Sequence, residues 1–176
     1  MDEVAEADAF LTGTTALSGP TFEEFFAEEV GRLQRALVLI TGSRSDAEDI
    51  AQEAFMRVFA RWDDVRDMAS PAGYLHRVAM NLFRSRYRSA VRDVRRIAGL
   101  VERDADALGP VEDRDAAGRI LAGLTPRQRA ALVLTEAFGY SGEETGELLG
   151  IKASTVYALT HQARQALATI TGDDDA

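Results

Sequence analysis

Between Ser45 and Trp62 the apolar residues Ala47, Ile50, Ala51, Ala54, Phe55, Val58, Phe59 and Trp62 recur at steps of three and four without a break. Such a series gathers on one side of a helix but scatters over both faces of a strand, so this segment must be an amphipathic helix that packs against something. Ser45 with Glu48 supplies its start signal, a side-chain oxygen for an early amide and a glutamate reaching back. The same grammar recurs along the chain. Thr21 with Glu24 precedes Phe22, Phe25, Phe26, Leu33, Leu37 and Ile40, which predicts a helix ending near Gly42. Ser70-Pro71 places an N-cap and an N1 proline ahead of a third helix. Thr125-Pro126 with Gln128, then Ser141 with Glu144, open two more, and a last helix follows the turn at Gly150. No segment alternates with the period of a strand, so the expected fold is all-α.

The helices fall into two groups. Residues 1–20 mix acids, small residues and a Gly-Pro stop, and read as a flexible acidic leader. Residues 21–96 hold the first three helices. From 97 to 115 the periodicity collapses, and Glu102, Asp104, Asp106, Glu112, Asp113 and Asp115 outnumber Arg103 and Arg114. This is an expected acidic linker. A second cluster, 116–170, begins with a short helix to Leu121 and ends in an acidic tail, 171–176. The architecture predicted is two small helical domains on a tether.

Composition removes several function classes. The chain has no cysteine, and its two histidines, His76 and His161, are far apart. A thiolate site, a disulfide framework or a metal cage is therefore not expected, and no cofactor is called for. Apolar runs such as "ALVLI" are far shorter than the roughly 18–20 residues that span a bilayer, which points to a cytoplasmic protein away from membranes. No phosphate-binding loop or paired acid and base suggests an enzyme, and each histidine reads as a surface or cap residue.

Against a net charge of -9, with 20 Lys plus Arg and 29 Asp plus Glu, residues 74–96 are crowded with arginine. At roughly 100° per residue, Arg77, Asn81, Arg84, Arg88, Arg92 and Arg95 fall within a sector of about 80°, opposite Leu75, Val78, Ala79 and Leu82. Like charges four apart repel, so such a stripe costs stability unless an anion neutralises it. A solvated arginine-rich face, or one offset by the protein's own acids, is the plain alternative. Trp62, Tyr74 and Tyr87 flank or interleave the stripe, and flat rings beside a positive groove suit a splayed single strand. Trp62 also continues the apolar stripe before it, which favours a core position for that ring.

Residues 141–167 have the spacing of a helix-turn-helix. Leu148 and Leu149 point inward, Gly150 makes the turn, Ile151 fills the corner, and Val156, Leu159, Ala163 and Leu167 form the buried face. Ser154, Thr155, Tyr157, Ala158, His161 and Arg164 would face out. Glu143, Glu144 and Glu147 outnumber Lys152 and Arg164, so this unit alone should hold phosphate weakly.

Taken in order, "SRSDAEDIAQEAFMRVFARW", "YLHRVAMNLFRSRYR", the acidic linker and "LTPRQRAALVLTEAFGYSGEETGELLGIKASTVYALTHQAR" resemble a bacterial RNA polymerase sigma factor of the extracytoplasmic-function type, in particular the actinobacterial kind. The resemblance implies a two-domain initiation factor. Asp46, Glu48, Asp49, Gln52 and Glu53 match the family's acidic block, which docks on the clamp helices of the polymerase largest subunit; the flap region is a further implied contact. Trp62, Tyr74, Arg77, Asn81, Arg84, Arg88 and Arg92 would capture flipped bases and backbone of the single-stranded minus-ten element. Lys152, Ser154, Thr155, Tyr157, Ala158, His161 and Arg164 would meet the double-stranded minus-35 element. The linker would thread toward the polymerase channels. An anti-sigma factor is a partner this family often has.

The sequence departs from the family pattern at four places. Lys152 stands where serine usually caps the recognition helix, Tyr157, Ala158 and Leu159 where arginines are common, Tyr74 for tryptophan, and Ser85 for aspartate. The poor positive charge of the last helix motivates an alternative function, a helical interaction protein that binds polymerase or a regulator without reading promoter DNA. A further expectation is regulatory: the acidic leader, linker and tail fold back on the arginine face.

Overall fold

The structure, a computed structural model, describes residues 20–98 and 120–172, with side chains of 93–98 and 170–172 undescribed. The expected leader, linker and tail, the start of the short helix before Leu121, and the side chain of Arg95 lie outside what is described. Every regular element among them is helical: α1 Phe22–Thr41, α2 Arg44–Phe59, a single turn α3 Trp62–Val65, α4 Pro71–Ala98, α5 Pro126–Leu132, α6 Gly142–Leu149 and α7 Ala153–Gly172.

The predicted start signals at Thr21, Thr125 and Ser141 all form reciprocal capping boxes, with Glu24, Gln128 and Glu144 reaching back. Ser70 Oγ accepts from Gly73 N at 3.0 Å ahead of Pro71. At α2 the cap shifts. Ser43, not Ser45, takes the extended conformation (φ -133°, ψ 123°) and accepts from Asp46 N. The reason lies in α1: Gly42 ends it in the left-handed region at φ 72°, and Thr41 Oγ1 accepts from Ser43 N at 3.1 Å. That tight corner places the next helix immediately after Ser43, with Ser45 already inside it.

The anticipated stripes form the core of the N-terminal module. Leu33, Leu37 and Ile40 of α1, Ile50, Ala54 and Val58 of α2, and Leu75 and Ala79 of α4 are buried. Each buried Leu, Ile or Val contributes roughly 1.5–3 kcal/mol. Two aromatic members of the predicted stripes depart from this: Phe26 is 40% and Phe59 60% exposed, at the outer edge of the α1–α2 pair. Trp62 does not extend α2; it begins α3 and lies half-buried against Phe25 and Phe22, with ring centroids 4.9 and 5.5 Å away.

The C-terminal module, α5 to α7, packs directly on the first. Ala130, Ala131, Val133 and Leu134 of the α5 segment, Leu148 and Leu149 of α6 and Val156 of α7 join one apolar cluster with α1, α2 and α4. A smaller cluster of Leu121, Leu124, Leu132 and Ala163 takes in Leu39 of α1. After Leu132 the chain widens into a π turn at Val133–Ala137, and Gly139 (φ 72°) follows. Widened turns of this kind re-aim the residues that follow. Here Phe138 and Tyr140 are brought against α4.

Arg129 locks this arrangement. It is 4% exposed, and its guanidinium donates to Ile40 O at 3.0 Å, Leu124 O at 2.9 Å and Thr41 O at 3.4 Å. A cation thus satisfies the unpaired carbonyls at the C-terminal end of α1, where the helix dipole also favours it.

Candidate polymerase and nucleic-acid interface

α4 is a helix of 28 residues, long enough at 1.5 Å per residue to present a rail of about 40 Å. Its apolar side is buried and Arg77, Asn81, Arg88 and Arg92 are exposed, while Arg84 is half-buried. The stripe therefore exists as a surface. Its middle is covered by the C-terminal module: Arg77 Nη2 lies 3.9 Å from Glu147 Oε2, and the Arg84 guanidinium sits against Gly150 so closely that a Cβ there would collide with it. The covering element among the described residues is the helix-turn-helix corner, where the leader, linker and tail were expected.

The aromatic residues beside the stripe divide. Tyr87 is 6% exposed, packed beside Phe83 with centroids 6.1 Å apart, which removes it as a stacking platform. Its position on the wheel lies between the two faces, and the second module encloses that side. Tyr74 is half-buried, and its hydroxyl accepts from Arg61 Nη1 at 3.4 Å. Trp62 shares its ring with the aromatic cluster of α1.

His76 is not a surface or cap residue. It is 4% exposed, its Nδ1 is 2.6 Å from Tyr140 Oη, and its ring meets Phe138 edge-on with centroids 4.4 Å apart. Nε2 lies 3.8 Å from Glu29 Oε2. Burial first, and then the Arg32 guanidinium, lower its pKa to about 4. The carboxylate of Glu29 opposes this shift, but at 3.8 Å it forms no hydrogen bond and does not offset desolvation. His76 is neutral near pH 7. The sequence held one signal of burial, since Ala79, Met80 and Phe83 follow it at helical spacing.

On α2 the acidic block lines the outer face. Glu48, Asp49 and Gln52 are exposed, Asp46 and Glu53 half-buried. Arg86 of α4 reaches Asp49 at 3.4 Å and Glu53 at 3.7 Å, Arg57 meets Glu53 at 2.6 Å, and Arg44 meets Glu48 at 3.2 Å. Beside the block runs an apolar groove of about 730 Å³ floored by Phe22, Phe26, Phe55, Met56 and Phe59 and edged by Glu48 and Gln52. Met56 is 65% exposed. Sequence periodicity concealed this groove, because it assigned Phe26 and Phe59 to the core.

In the helix-turn-helix, Gly150 adopts φ 64°, and Ser154, Thr155, Tyr157, Ala158, His161 and Arg164 are all exposed on α7. Lys152 precedes α7, with its carbonyl accepting from Thr155 N at 2.9 Å. Two of the outward residues already have acidic partners: Tyr157 Oη donates to Glu143 at 3.4 Å, and Arg164 forms a close ion pair with Glu136. Among the described residues no group of three or more ligating side chains could hold a metal ion, and no helix is long and apolar enough to cross a membrane.

The family description Sigma-70 region 2 matches residues 25–93, the α1 to α4 module, and Sigma-70, region 4 matches 114–167, the helix-turn-helix module. The RNA polymerase sigma-E factor of Streptomyces avermitilis is 32% identical over 145 residues, covering 81% of this chain and 80% of its own. The chain belongs to the extracytoplasmic-function sigma factors. The ECF RNA polymerase sigma factor SigE of Mycolicibacterium smegmatis is 34% identical over 160 residues, 84% of this chain, and this chain spans 60% of that longer relative. In fold, the Bartonella quintana sigma factor RpoE, solved in complex with the anti-sigma factor NepR, superimposes with a TM-score of 0.65 at 22% identity, covering 86% of this chain and 96% of that one. The Mycobacterium tuberculosis extracytoplasmic function sigma factor SigJ gives 0.57 at 27% identity, covering 84% of this chain and 53% of that one. A sigma factor serves RNA polymerase in promoter recognition as an initiation factor, and that is the function of this chain.

Proposed function

We propose that this sigma factor works through three surfaces, one each on α2, α4 and α7. Residues 21–96 form the polymerase- and minus-ten-binding domain, and 116–170 the minus-35-binding domain. Asp46, Glu48, Asp49, Gln52 and Glu53 meet basic side chains of the polymerase clamp helices, with Met56 and Phe59 supplying the apolar contact beside them. Arg77, Arg84, Arg88 and Arg92 hold the phosphates of the opened strand, while Asn81, Tyr74 and Trp62 meet its bases. Duplex melting then needs no bond chemistry, because unstacked bases are bound better than paired ones.

The observation that carries this reading is the exposed cationic rail on α4 in a protein of net charge -9. It stands on the same chain as an outward-facing recognition helix. The two elements the modules would read are about 85 Å apart along the duplex, at roughly 3.4 Å per base pair. The packed arrangement cannot reach both. Residues 99–119, at up to 3.6 Å each, can span at most about 75 Å, less than that separation, so the modules' own lengths bridge the remainder once the C-terminal module is released from α1 and α4. An anti-sigma factor acting between the modules, as a class of partner, would hold or exploit the packed form. The setting for this work is the cytoplasm, with polymerase and promoter.

Run-off transcription with core polymerase tests the proposal. A promoter-dependent start that disappears in the Arg84→Ala, Arg88→Ala double variant supports it. A second reading, a polymerase-binding regulator that does not read DNA, is favoured by the Glu143 and Glu136 contacts on the recognition helix. It requires that the double variant bind polymerase and perform as the parent does.

A further inference from the structure

Among the described residues six arginines, Arg44, Arg57, Arg61, Arg77, Arg86 and Arg164, have acidic partners. Of those that do not, three stand together. Arg84 and Arg88 of α4 and Arg127 of α5 line a cavity of about 150 Å³ at the junction of the modules, closed by Tyr87 and by Gly150 of the helix-turn-helix corner. Among the described residues no acidic one lines it. Arg84 donates to Asn81 Oδ1 at 3.3 Å, Arg88 Nε to Arg84 O at 3.3 Å, and the Arg127 guanidinium lies over the Tyr87 ring, 5.6 Å from its centroid. These contacts orient the guanidinium groups without neutralising them. Among the described residues none of the three takes part in an ion pair. The cavity is well above the roughly 10–15 Å³ that accommodates one water, and far too narrow for a duplex.

We propose that this cavity binds a small phosphate-class oxyanion and that the ligand fastens the C-terminal module onto α4. The chemistry follows from the groups present. Guanidinium forks donate paired hydrogen bonds to tetrahedral oxyanions, and three arginines that line one cavity from two modules can share one anion. Occupancy joins α4 to α5 and engages Arg84 and Arg88, residues that the opened DNA strand would otherwise use. The bound anion and the promoter strand therefore exclude each other, a consequence that rests on the function proposed above. Binding itself does not. The anion is either a free inorganic phosphate species or the phosphate end of a nucleotide, since both present the same oxygens to the three arginines.

The test uses the full chain titrated with inorganic pyrophosphate and, separately, with ATP, ionic strength being held constant with sodium chloride. Binding is read by calorimetry and by the thermal midpoint. The expected result is one saturable site that is weakened at least tenfold in Arg127→Gln and partly restored in Arg127→Lys. Arg127 is exposed and outside both DNA-contact sets, so Arg127→Gln should fold and should support run-off transcription as the parent does. The tighter of the two ligands identifies the source of the phosphate. A response no different from that of sodium chloride, or equal binding by the parent and Arg127→Gln, would overturn the proposal. Single-strand affinity measured with saturating ligand should fall in the parent and hold in Arg127→Gln; an equal fall in both would exclude competition at this cavity. Loss of promoter activity in the parent would count against the functional reading and leave the binding result standing.

Discussion

His76 Nδ1 lies 2.6 Å from the hydroxyl of Tyr140, so a partly buried polar pair joins α4 to the segment before α6 across the boundary between the modules. Glu29 and Arg32 of α1 face the same pair, and Glu144 and Arg77 act on Tyr140 from α6 and α4. His76 has a pKa lowered from 6.5 to about 4 in the packed form. A group whose proton is disfavoured in one state stabilises that state above its free pKa, and the stabilisation falls as the pH drops toward the lowered value. The packed arrangement should therefore be fully favoured above pH 6.5 and weaken by up to about tenfold per pH unit between 6.5 and about 4. Hydrogen exchange of the α6 amides as a function of pH checks this. His76→Gln should flatten the profile, and an unchanged profile in that variant would refute the assignment.

Arg129 supplies the buried cation that satisfies the carbonyls of Ile40, Thr41 and Leu124. Replacing it with Met removes three hydrogen bonds to a charged donor and leaves acceptors unpaired in the interior, which should cost about 3 kcal/mol. Urea unfolding measures the loss. A change below about 1 kcal/mol would mean that water replaces the guanidinium without penalty.

Gly146 lies within α6, where alanine would ordinarily gain about 1 kcal/mol in helix propensity. A Cβ at this position would stand 2.8 Å from Ile151 O and 3.3 Å from Ala153 N, both backbone atoms of the turn. Backbone cannot swing aside as a side-chain end can. Gly146→Ala should therefore destabilise the helix-turn-helix, visible as a lowered thermal midpoint, and a raised midpoint would show that the corner has room.

Arg88 faces solvent on the stripe, whereas Arg86 turns toward Asp49 and Glu53 of α2. Each phosphate neutralised on a single strand adds roughly 0.7 to the log-log salt slope of binding. Arg88→Ala should reduce the slope by about that amount in a single-strand affinity titration, and Arg86→Ala should leave it alone. Equal effects would place the binding face elsewhere.

Phe59, 60% exposed at the edge of the apolar groove, contributes little to the core. Phe59→Ser should keep the unfolding midpoint nearly unchanged, within about 0.5 kcal/mol. Its affinity for core polymerase, followed by fluorescence anisotropy, should drop several-fold. Retained affinity would remove the groove from the docking surface.

Local signals in the sequence were sufficient wherever a structural choice was local. Three capping boxes, the Ser70-Pro71 start and the Gly150 corner stand where spacing put them, since each depends on residues within one or two turns. The cap of α2 was misplaced by two residues because the preceding helix, not the cap's own sequence, fixes where α2 can start.

The placement of individual side chains was legible only in part. Exposure of the recognition-helix residues followed from the wheel, as did burial of Leu75, Ala79 and Leu82. Tyr87, His76 and Phe59 did not, because periodicity reports which side of a helix is apolar and not how far the neighbouring elements extend over it.

By itself, then, the sequence determined that the chain is helical, where most of its helices begin, and that one of them presents a row of arginines. Tertiary structure alone decided that the helix-turn-helix covers part of that row, that Arg129 closes the end of α1, and that His76 is buried neutral. The physical reason is range: caps and stripes depend on groups a few residues apart, whereas desolvation and the pairing of charges depend on which surfaces long-range packing brings together.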